Sequence, residues 1–403
     1  MRTSFILAFF VACGPGPDPI DTGTTPDTGT APLPTGDTAS TTPPTGIDCL
    51  AAWSDGITEP DAAGPDTQIH ATSAFDGEQV WVAWNRPDGG SYFDVFLARM
   101  DCAGTLTFGP VEVSQTDQSE LDPVLAVSGD RLMVAWSSDN GTGPDNLDIR
   151  YRLYDLDGTA QTEVIELAAD RDGAPVTGNA TLPALAATDD GFVMAGSWGH
   201  DDSPAFQAFV VSLDRDGQVL DEATDGEVDG TYGQLYTTVT EQGGVPWLAW
   251  QEDSVASTAP TLVGGPLGTP GELATPGARP DVAVGPDGLW LAYDTDAGEI
   301  VVQTPDGSEA RLTGGFVHSA SIVAYDGGAV VLGMDLISGV SNRVTLWQVD
   351  LQGQVVGSHT LSTDSAVSVY GTDLTLIDDT HAVVVYQDGV NPAFRVKAEW
   401  VTL

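Results

Sequence analysis

The chain has 403 residues, 41% of them hydrophobic, so it is long enough for one large domain or two ordinary ones. Its 47 glycines and 26 prolines favour short strands and turns over long helices. Acidic residues outnumber basic residues by 59 to 13, and the net charge of −46 argues against nucleic acid or an anionic membrane surface as a partner.

The N-terminal sequence MRTSFILAFFVAC has one arginine and then an apolar run from Phe5 to Ala12. The run is too short to span a bilayer and predicts an export signal over residues 1–12. Its end, Phe10-Val11-Ala12-Cys13, resembles the lipobox of bacterial lipoproteins, although leucine is usual where Phe10 stands. The resemblance implies that Cys13 becomes a lipidated N-terminus. The alternative is an ordinary secretory signal in which Cys13 has no role.

Residues 13–47 are predicted to form a tether. After Cys13 they are almost all Gly, Pro, Asp, Thr, Ser and Ala, and such a segment cannot bury enough apolar surface to offset the entropy of ordering. The repeated Asp-Thr-Gly tracts resemble the stalks of surface lipoproteins from myxobacteria and their relatives. The resemblance implies a domain held at the outer membrane or cell surface by its lipid, with secretion as the alternative.

Two cysteines remain if Cys13 is lipidated. An exported compartment permits a disulfide between them, Cys49 to Cys102. Two buried free thiols are the alternative.

An apolar string that ends in a small residue and an aromatic one recurs along the chain. The first copy, VWVAW, ends at Trp84, and the others end at Trp136, Gly196, Trp250, Tyr293, Gly333 and Tyr386. Seven units of about 40–60 residues are typical of a β-propeller with four strands per blade. The continuous apolar run predicts a second strand buried on both faces, whereas the strand after it alternates and is half solvated.

We therefore predict an all-β, seven-bladed β-propeller of four-stranded antiparallel blades over residues 48–403. The last unit ends with its third strand, so the segment within residues 48–60 is predicted to add the missing strand and close the ring. Two packed β-sandwich domains are the alternative. The predicted blades are residues 66–114, 115–168, 170–224, 227–275, 276–314, 315–362 and 363–403.

Acidic loops follow the second strands, on the face of the propeller that also carries the connections between blades. These loops hold Asp88, Asp139, Asp145, Asp201, Asp202, Glu252, Asp253, Asp296 and Asp388. Such carboxylates could hold Ca²⁺ or a cationic ligand, and solvated loops are the simpler alternative. No loop matches the calcium pattern of EF-hands, and no other cofactor is indicated.

Residues that begin the innermost strands are predicted to line the mouth of the central funnel. His70, Asp281, His318 and Asp373 belong to blades that are contiguous in a closed ring, and Tyr236 is aligned with them. Two histidines and two carboxylates could bind a metal or perform acid–base chemistry. A register error of one residue would turn half of these side chains away.

Sialidases are propellers with a repeated S-x-D-x-G-x-[ST]-W turn, and only Ser137–Gly141 resembles that turn. It follows a second strand instead of a third. A sialidase also needs an arginine cluster for its substrate's carboxylate, and four arginines are predicted on third strands, away from the funnel: Arg99, Arg150, Arg152 and Arg395.

Two hypotheses of function remain open. The first is a lipid-anchored, non-enzymatic module that binds a protein or glycan, or serves as an envelope component. The second is an exported hydrolase or lyase that acts on polysaccharide through the carboxylates and histidines of the funnel. In both cases we expect a monomer that meets the membrane only through its N-terminal lipid.

Overall fold

The computed structural model describes residues 49–403, except residue 66 and residues 88–91, 115–117, 140–146, 168–178, 200–205, 225–231, 255–258, 315–316, 338–340, 362–371 and 391–392. The described residues form seven four-stranded sheets and one short 3-10 helix, Cys49–Ala52. Within those ranges, no helix has the length and apolar character that crossing a bilayer requires. The predicted export signal, Cys13 and the tether lie outside the described residues.

The strands are numbered in chain order, and the first is β1 (Gly56–Thr58). Blade 1 contains β2 (Ile69–Phe75), β3 (Val80–Pro87), β4 (Phe93–Met100) and β5 (Leu106–Glu112), and blade 2 contains β6 (Glu120–Ser128), β7 (Arg131–Asp139), β8 (Leu147–Asp155) and β9 (Ile165–Glu166). Blade 3 contains β10 (Asn179–Thr188), β11 (Gly191–Gly199), β12 (Phe206–Asp214) and β13 (Val219–Thr224), and blade 4 contains β14 (Tyr232–Gln242), β15 (Val245–Ser254), β16 (Thr261–Pro266) and β17 (Gly271–Ala274). Blade 5 contains β18 (Ala278–Gly285), β19 (Gly288–Asp294), β20 (Ile300–Gln303) and β21 (Glu309–Leu312). Blade 6 contains β22 (Val317–Tyr325), β23 (Gly328–Ile337), β24 (Ser341–Asp350) and β25 (Val355–Thr360), and blade 7 contains β26 (Thr372–Asp378), β27 (His381–Val390) and β28 (Ala393–Thr402).

The sheets follow one another around a ring. Among the described residues, seven hydrophobic clusters are found, and each lies between two successive blades, including blades 7 and 1. The first strand of each blade packs against the first strands of its two neighbours. The predicted seven-bladed antiparallel propeller is therefore confirmed, and the alternative of two β-sandwiches is wrong.

The second strand of each blade is buried on both faces. In β3, Val80–Trp84 has no exposed side chain. Val82 and Trp84 pack against blade 7, whereas Trp81 and Ala83 pack against blade 2. The continuous apolar string thus supplies side chains to two junctions at once, since successive residues of a strand point to opposite faces. Five alanines stand just before the aromatic position, which is Gly196 in blade 3, and they are fully buried: Ala83, Ala135, Ala195, Ala249 and Ala292.

The ring is closed by the N-terminal strand, as predicted. Strand β1 pairs with β28 of blade 7, and Ile57 lies opposite Glu399. Just before β1, Cys49 forms a disulfide with Cys102, and their Cα atoms are 5.4 Å apart. Cys102 lies in the turn between the third and fourth strands of blade 1. The closing segment is therefore hydrogen-bonded to one blade and covalently joined to the next.

The acidic turns between third and fourth strands hold themselves together. The Oδ1 atom of Asp155 accepts hydrogen bonds from the backbone N–H of Asp157 at 3.3 Å and of Thr159 at 2.9 Å. Asp101, Asp214 and Asp350 make the same pair of contacts in other blades. These carboxylates act as local turn formers because a short Asp side chain reaches the backbone two residues on.

Candidate functional site

A cavity of about 480 Å³ lies on the axis of the propeller. Residues from the first strands of all seven blades line it. This volume is within the range of roughly 300–1,000 Å³ that small-molecule sites span. We call this cavity the channel.

The first strands bulge where they enter the channel. In blade 1, Ile69 pairs with Asn85 and Thr72 pairs with Ala83, so one extra residue is accommodated in β2. A bulge at the same place occurs in the first strands of blades 2 to 6. A bulge re-aims the side chain that it carries, and bulges are common beside active sites.

One non-glycine residue of each bulge in blades 1 to 5 has a left-handed backbone. We call these residues the mouth column: His70 (φ 52°), Asp122 (φ 51°), Leu182 (φ 53°), Tyr236 (φ 54°) and Arg279 (φ 46°). All five line the channel. A left-handed conformation costs an ordinary residue about 1–2 kcal/mol, so each side chain is held there by the surrounding structure.

The preceding blade supplies part of that support. A polar residue follows the tryptophan of the second strand in blades 1, 2 and 4, and it hydrogen-bonds to the bulged strand of the next blade. The contacts are Asn85 Nδ2 to the Glu120 carbonyl (2.8 Å), the Leu182 N–H to Ser137 Oγ (3.1 Å) and the Arg279 N–H to Gln251 Oε1 (3.2 Å). The mouth column is therefore positioned by contacts between blades.

The charged members of the mouth column are paired. His70 Nδ1 lies 2.8 Å from Asp122 Oδ1, which gives an ion pair when His70 is protonated. Arg279 Nε lies 2.7 Å from Oδ2 of Asp294, whose side chain is only 4% exposed. A half-buried guanidinium thus lines the channel and is paired with a buried carboxylate that does not line it.

A second set of residues lies two positions further along the same strands, opposite the alanine position of the second strands. We call it the waist column: Thr72, Val124, Ala184, Thr238, Asp281, Ser321 and Asp373. These residues also line the channel. The mouth and waist columns together supply half of the residues that line it.

Asp373 of the waist column joins three blades. Its carboxylate accepts hydrogen bonds from the backbone N–H of Leu374 in its own blade and of Ser73 in blade 1, both at 2.8 Å. It also accepts from the hydroxyls of Thr72 in blade 1 at 3.0 Å and Ser321 in blade 6 at 3.4 Å.

Asp281 makes the equivalent set of contacts two blades away. It accepts from the N–H of Val282 at 2.9 Å, from the N–H of Ile322 in blade 6 at 2.8 Å and from the hydroxyl of Thr238 in blade 4 at 3.0 Å. The two aspartates therefore link blades 4, 5, 6, 7 and 1 around the channel.

Removal from water and, to a smaller extent, the nearby charge of Asp373 raise the pKa of Asp281 to about 6, against the hydrogen bonds that lower it. Burial also raises the pKa of Asp373, which its hydrogen bonds partly offset. Both effects arise because a carboxylate loses solvation energy in the channel wall.

The structure places His70, Asp281 and Asp373 around one channel, but at two levels. His70 and Tyr236 are in the mouth column, whereas both aspartates are in the waist column. The backbone of His318 pairs with Met334 in blade 6, and its side chain lies outside the described part of the structure.

Sequence reasoning missed Asp122 and Arg279. The sequence-based placement of arginines on third strands left out Arg279, which lies in the channel. Proline follows the mouth residue in three blades, at Pro123, Pro183 and Pro280. That shared proline is the signal that aligns Asp122 with Arg279.

Part of the acidic-loop prediction lies outside the described residues, namely Asp88, Asp145, Asp201 and Asp202. Among the residues that are described, no group of three or more His, Cys, Asp or Glu side chains is arranged to hold a metal ion. Calcium binding stays a prediction.

No protein family and no curated protein matches the chain. A solved structure of a protein of unknown function from Dyadobacter fermentans is 11% identical, with a TM-score of 0.53 over 86% of this chain and 98% of that one. Polysaccharide lyase Uly1 is 12% identical, with a TM-score of 0.53 over 85% of this chain and 90% of its own. A Penicillium chrysogenum α-L-arabinanase is 13% identical, with a TM-score of 0.48 over 86% of this chain and 97% of its own. At such identities the similarity shows the fold alone.

Proposed function

We propose that this chain is a cell-surface β-propeller that binds glycan in its central channel without transforming it. The mouth column carries this proposal. Its backbone geometry is the same in five blades, yet its residues differ in chemistry and include an aromatic ring, a guanidinium and a His–Asp pair. Strained residues that converge on one cavity are typical of ligand sites.

A sugar ring suits such a mouth. The ring has an apolar C–H face, which packs on an aromatic side chain such as Tyr236, and hydroxyl edges, which pair with Arg279 and Asp122. A polysaccharide lyase shares this fold, which supports glycan as the ligand class.

The proposal includes export and a lipid anchor at Cys13. The apolar run before Cys13 and the composition of residues 13–47 support it. Mass spectrometry of the protein from its own membranes should find a diacylglyceryl group on Cys13. An unmodified residue 13 would contradict the anchor and leave glycan binding standing.

Glycan binding is tested with the exported protein on an oligosaccharide array, followed by calorimetric titration. We expect Tyr236→Ala to weaken binding of the retained glycan at least tenfold, because the apolar platform is lost. Val356→Ser is the matched control, since Val356 is 61% exposed on the outer strand of blade 6. Equal loss in both variants, or no glycan retained, would contradict the proposal.

A second candidate is hydrolysis or elimination of polysaccharide in the same channel. The contact between His70 and Asp122 favours it, because a carboxylate that orients a histidine is a common acid–base arrangement. Product formation from a bound glycan by the wild type, abolished in His70→Ala, would establish this activity. Bound glycan that stays intact on prolonged incubation would exclude it for that glycan.

A further inference from the structure

The wall of the channel has two chemically different sides. Apart from Asp122 at the mouth, blades 2 and 3 contribute an apolar side: Pro123, Val124, Leu125, Leu182, Pro183, Ala184 and Leu185. Blades 4 to 7 and blade 1 contribute hydroxyl and carboxylate groups at the waist: Thr238, Asp281, Ser321, Asp373 and Thr72. A ligand that fills the channel must therefore be apolar on one side and polar on the other.

The polar side consists of hydrogen-bond acceptors. Thr72 and Ser321 donate their hydroxyl hydrogens to Asp373, and Thr238 donates its hydrogen to Asp281. A hydroxyl has one hydrogen and two lone pairs, so an oxygen that donates to a carboxylate still accepts. The ligand edge that meets these oxygens must supply O–H or N–H donors.

The two carboxylates are themselves occupied. Asp373 accepts four hydrogen bonds and Asp281 accepts three, all from protein groups. A carboxylate has about four lone-pair sites, so little capacity is left for an ammonium group in direct contact. These aspartates orient the hydroxyls and set the local field, and the hydroxyls meet the ligand.

The charges of the channel disfavour an anion. Asp122, Asp281 and Asp373 line it, and the guanidinium of Arg279 already contacts Asp294. The protein carries a net charge of −46, which adds a repulsive field for an acidic polymer. The raised pKa of Asp281 and Asp373 agrees with a wall in which positive charge does not compensate the carboxylates.

We propose that the waist of the channel takes the ring of an uncharged sugar, with its C–H face on blades 2 and 3 and its hydroxyls donating to Thr72, Thr238 and Ser321, while Tyr236 at the mouth packs on a neighbouring ring of the same glycan. This inference rests on the proposed glycan-binding function and names its ligand class. Uronic acids and sulfated sugars are excluded from the waist by charge, and a protonated amino sugar finds no free carboxylate there to contact.

The test uses probes that differ only in charge. Gluco- and galacto-configured oligosaccharides are titrated calorimetrically in three forms: uncharged, oxidised to the uronate, and substituted with a free amine. In about 0.15 M salt, where screening is moderate, we expect the uncharged form to bind at least tenfold more tightly than the uronate and at least as tightly as the amine. Binding of the uronate as tightly as the uncharged form, or of the amine more tightly than the uncharged form, would overturn this inference while leaving glycan binding intact. If none of the probes binds, the proposed function fails with it.

Two variants separate the roles of hydroxyl and carboxylate. Thr238→Val should weaken binding of the uncharged probe about tenfold, because one acceptor of the waist is lost. The exposed Thr107→Val on β5 is its matched control and should bind as the wild type does. Asp281→Asn should mainly reduce the ratio of the affinity for the uncharged probe to the affinity for the uronate. A purely structural role of Asp281 would not change this ratio.

Added salt gives the same readout without a variant. Raising the salt to about 1 M shortens the screening length to roughly 3 Å. The affinities of the wild type for the uncharged probe and for the uronate should therefore become more similar. A preference that stays constant across salt concentrations contradicts the electrostatic part of the argument.

Discussion

The first and second strands of each blade lie side by side, yet they differ in how much they repeat. Second strands carry the same small residue in five blades, and that alanine is fully buried every time. The mouth column also has one backbone geometry in five blades, but no residue occurs twice in it. Repetition therefore marks packing between blades, and variation on a constant backbone marks the surface left for a ligand.

The difference has a simple physical origin. A second strand fills a gap between two neighbouring sheets, and every gap in a closed ring has nearly the same shape. A mouth residue faces an open cavity, so packing does not fix its size or polarity. Four predictions test this contrast, beginning with the largest effect.

Trp136→Ala should lower the free energy of unfolding by about 3–5 kcal/mol, because it leaves a cavity between blades 1 and 2. Denaturation in guanidinium chloride measures the change. Tyr236→Ala in the mouth column is the comparison, and it should lower the free energy of unfolding far less than Trp136→Ala does. Equal losses in the two variants would remove the distinction between repeated and varied positions.

Ala135→Leu should destabilise by about 1–3 kcal/mol through overpacking, because Ala135 is fully buried in the cluster between blades 2 and 3. The same substitution at the exposed Ala393, at the start of β28, should leave the stability within about 0.5 kcal/mol of the wild type. A tolerated leucine at residue 135 would mean that the alanine position is not tight.

Asp281 should make stability depend on pH in the direction opposite to that of an ordinary paired carboxylate. Its pKa is about 6 in the folded protein and close to 3.8 in the unfolded chain, so its stabilising contribution is present below pH 3.8 and is lost as the pH rises through 6. The unfolding free energy of the wild type relative to Asp281→Asn should therefore fall between about pH 4 and pH 7. Chemical denaturation at both pH values measures it, with the exposed Asp326→Asn as control. A difference that rises over this range contradicts the assignment.

Leu182→Asn should have the smallest effect, a change in unfolding free energy within about 1 kcal/mol. Asparagine adopts left-handed backbone angles more readily than leucine, so the strain that it relieves offsets the apolar contact that it loses. Thermal unfolding measured beside the wild type checks this. A loss above about 2 kcal/mol would show that Leu182 is a packing residue like those of the second strands.

The fold was predictable because its signal repeats. Each copy of the VWVAW string marks one buried second strand, and the alternating strand after it marks the third. The closing strand was predictable too, because only three strands could be counted in the last unit. Packing in a ring imposes the same pattern seven times, so the repeat is visible within a single sequence.

The site was only partly predictable. A bulge adds one residue to the first strands of blades 1 to 6, so counting from the strand start grouped His70 with Asp281, which lies two positions deeper. Arg279 was missed for this reason, although Pro280 marks its place. The hydrogen bond that the Ile322 N–H donates to Asp281 joins residues of different blades, and no local pattern encodes such a contact. Fold repeats are local, but the chemistry of the channel is assembled from seven separate strands.

Hydrogen–deuterium exchange with a saturating mixture of uncharged gluco- and galacto-configured oligosaccharides tests the central claim most directly. The account predicts slower exchange in the first strands, around the bulges of β2, β6, β10, β14 and β18, and no change in the outer strands. Protection confined to the outer strands, or the absence of any protection, would contradict the assignment of the varied positions to ligand binding.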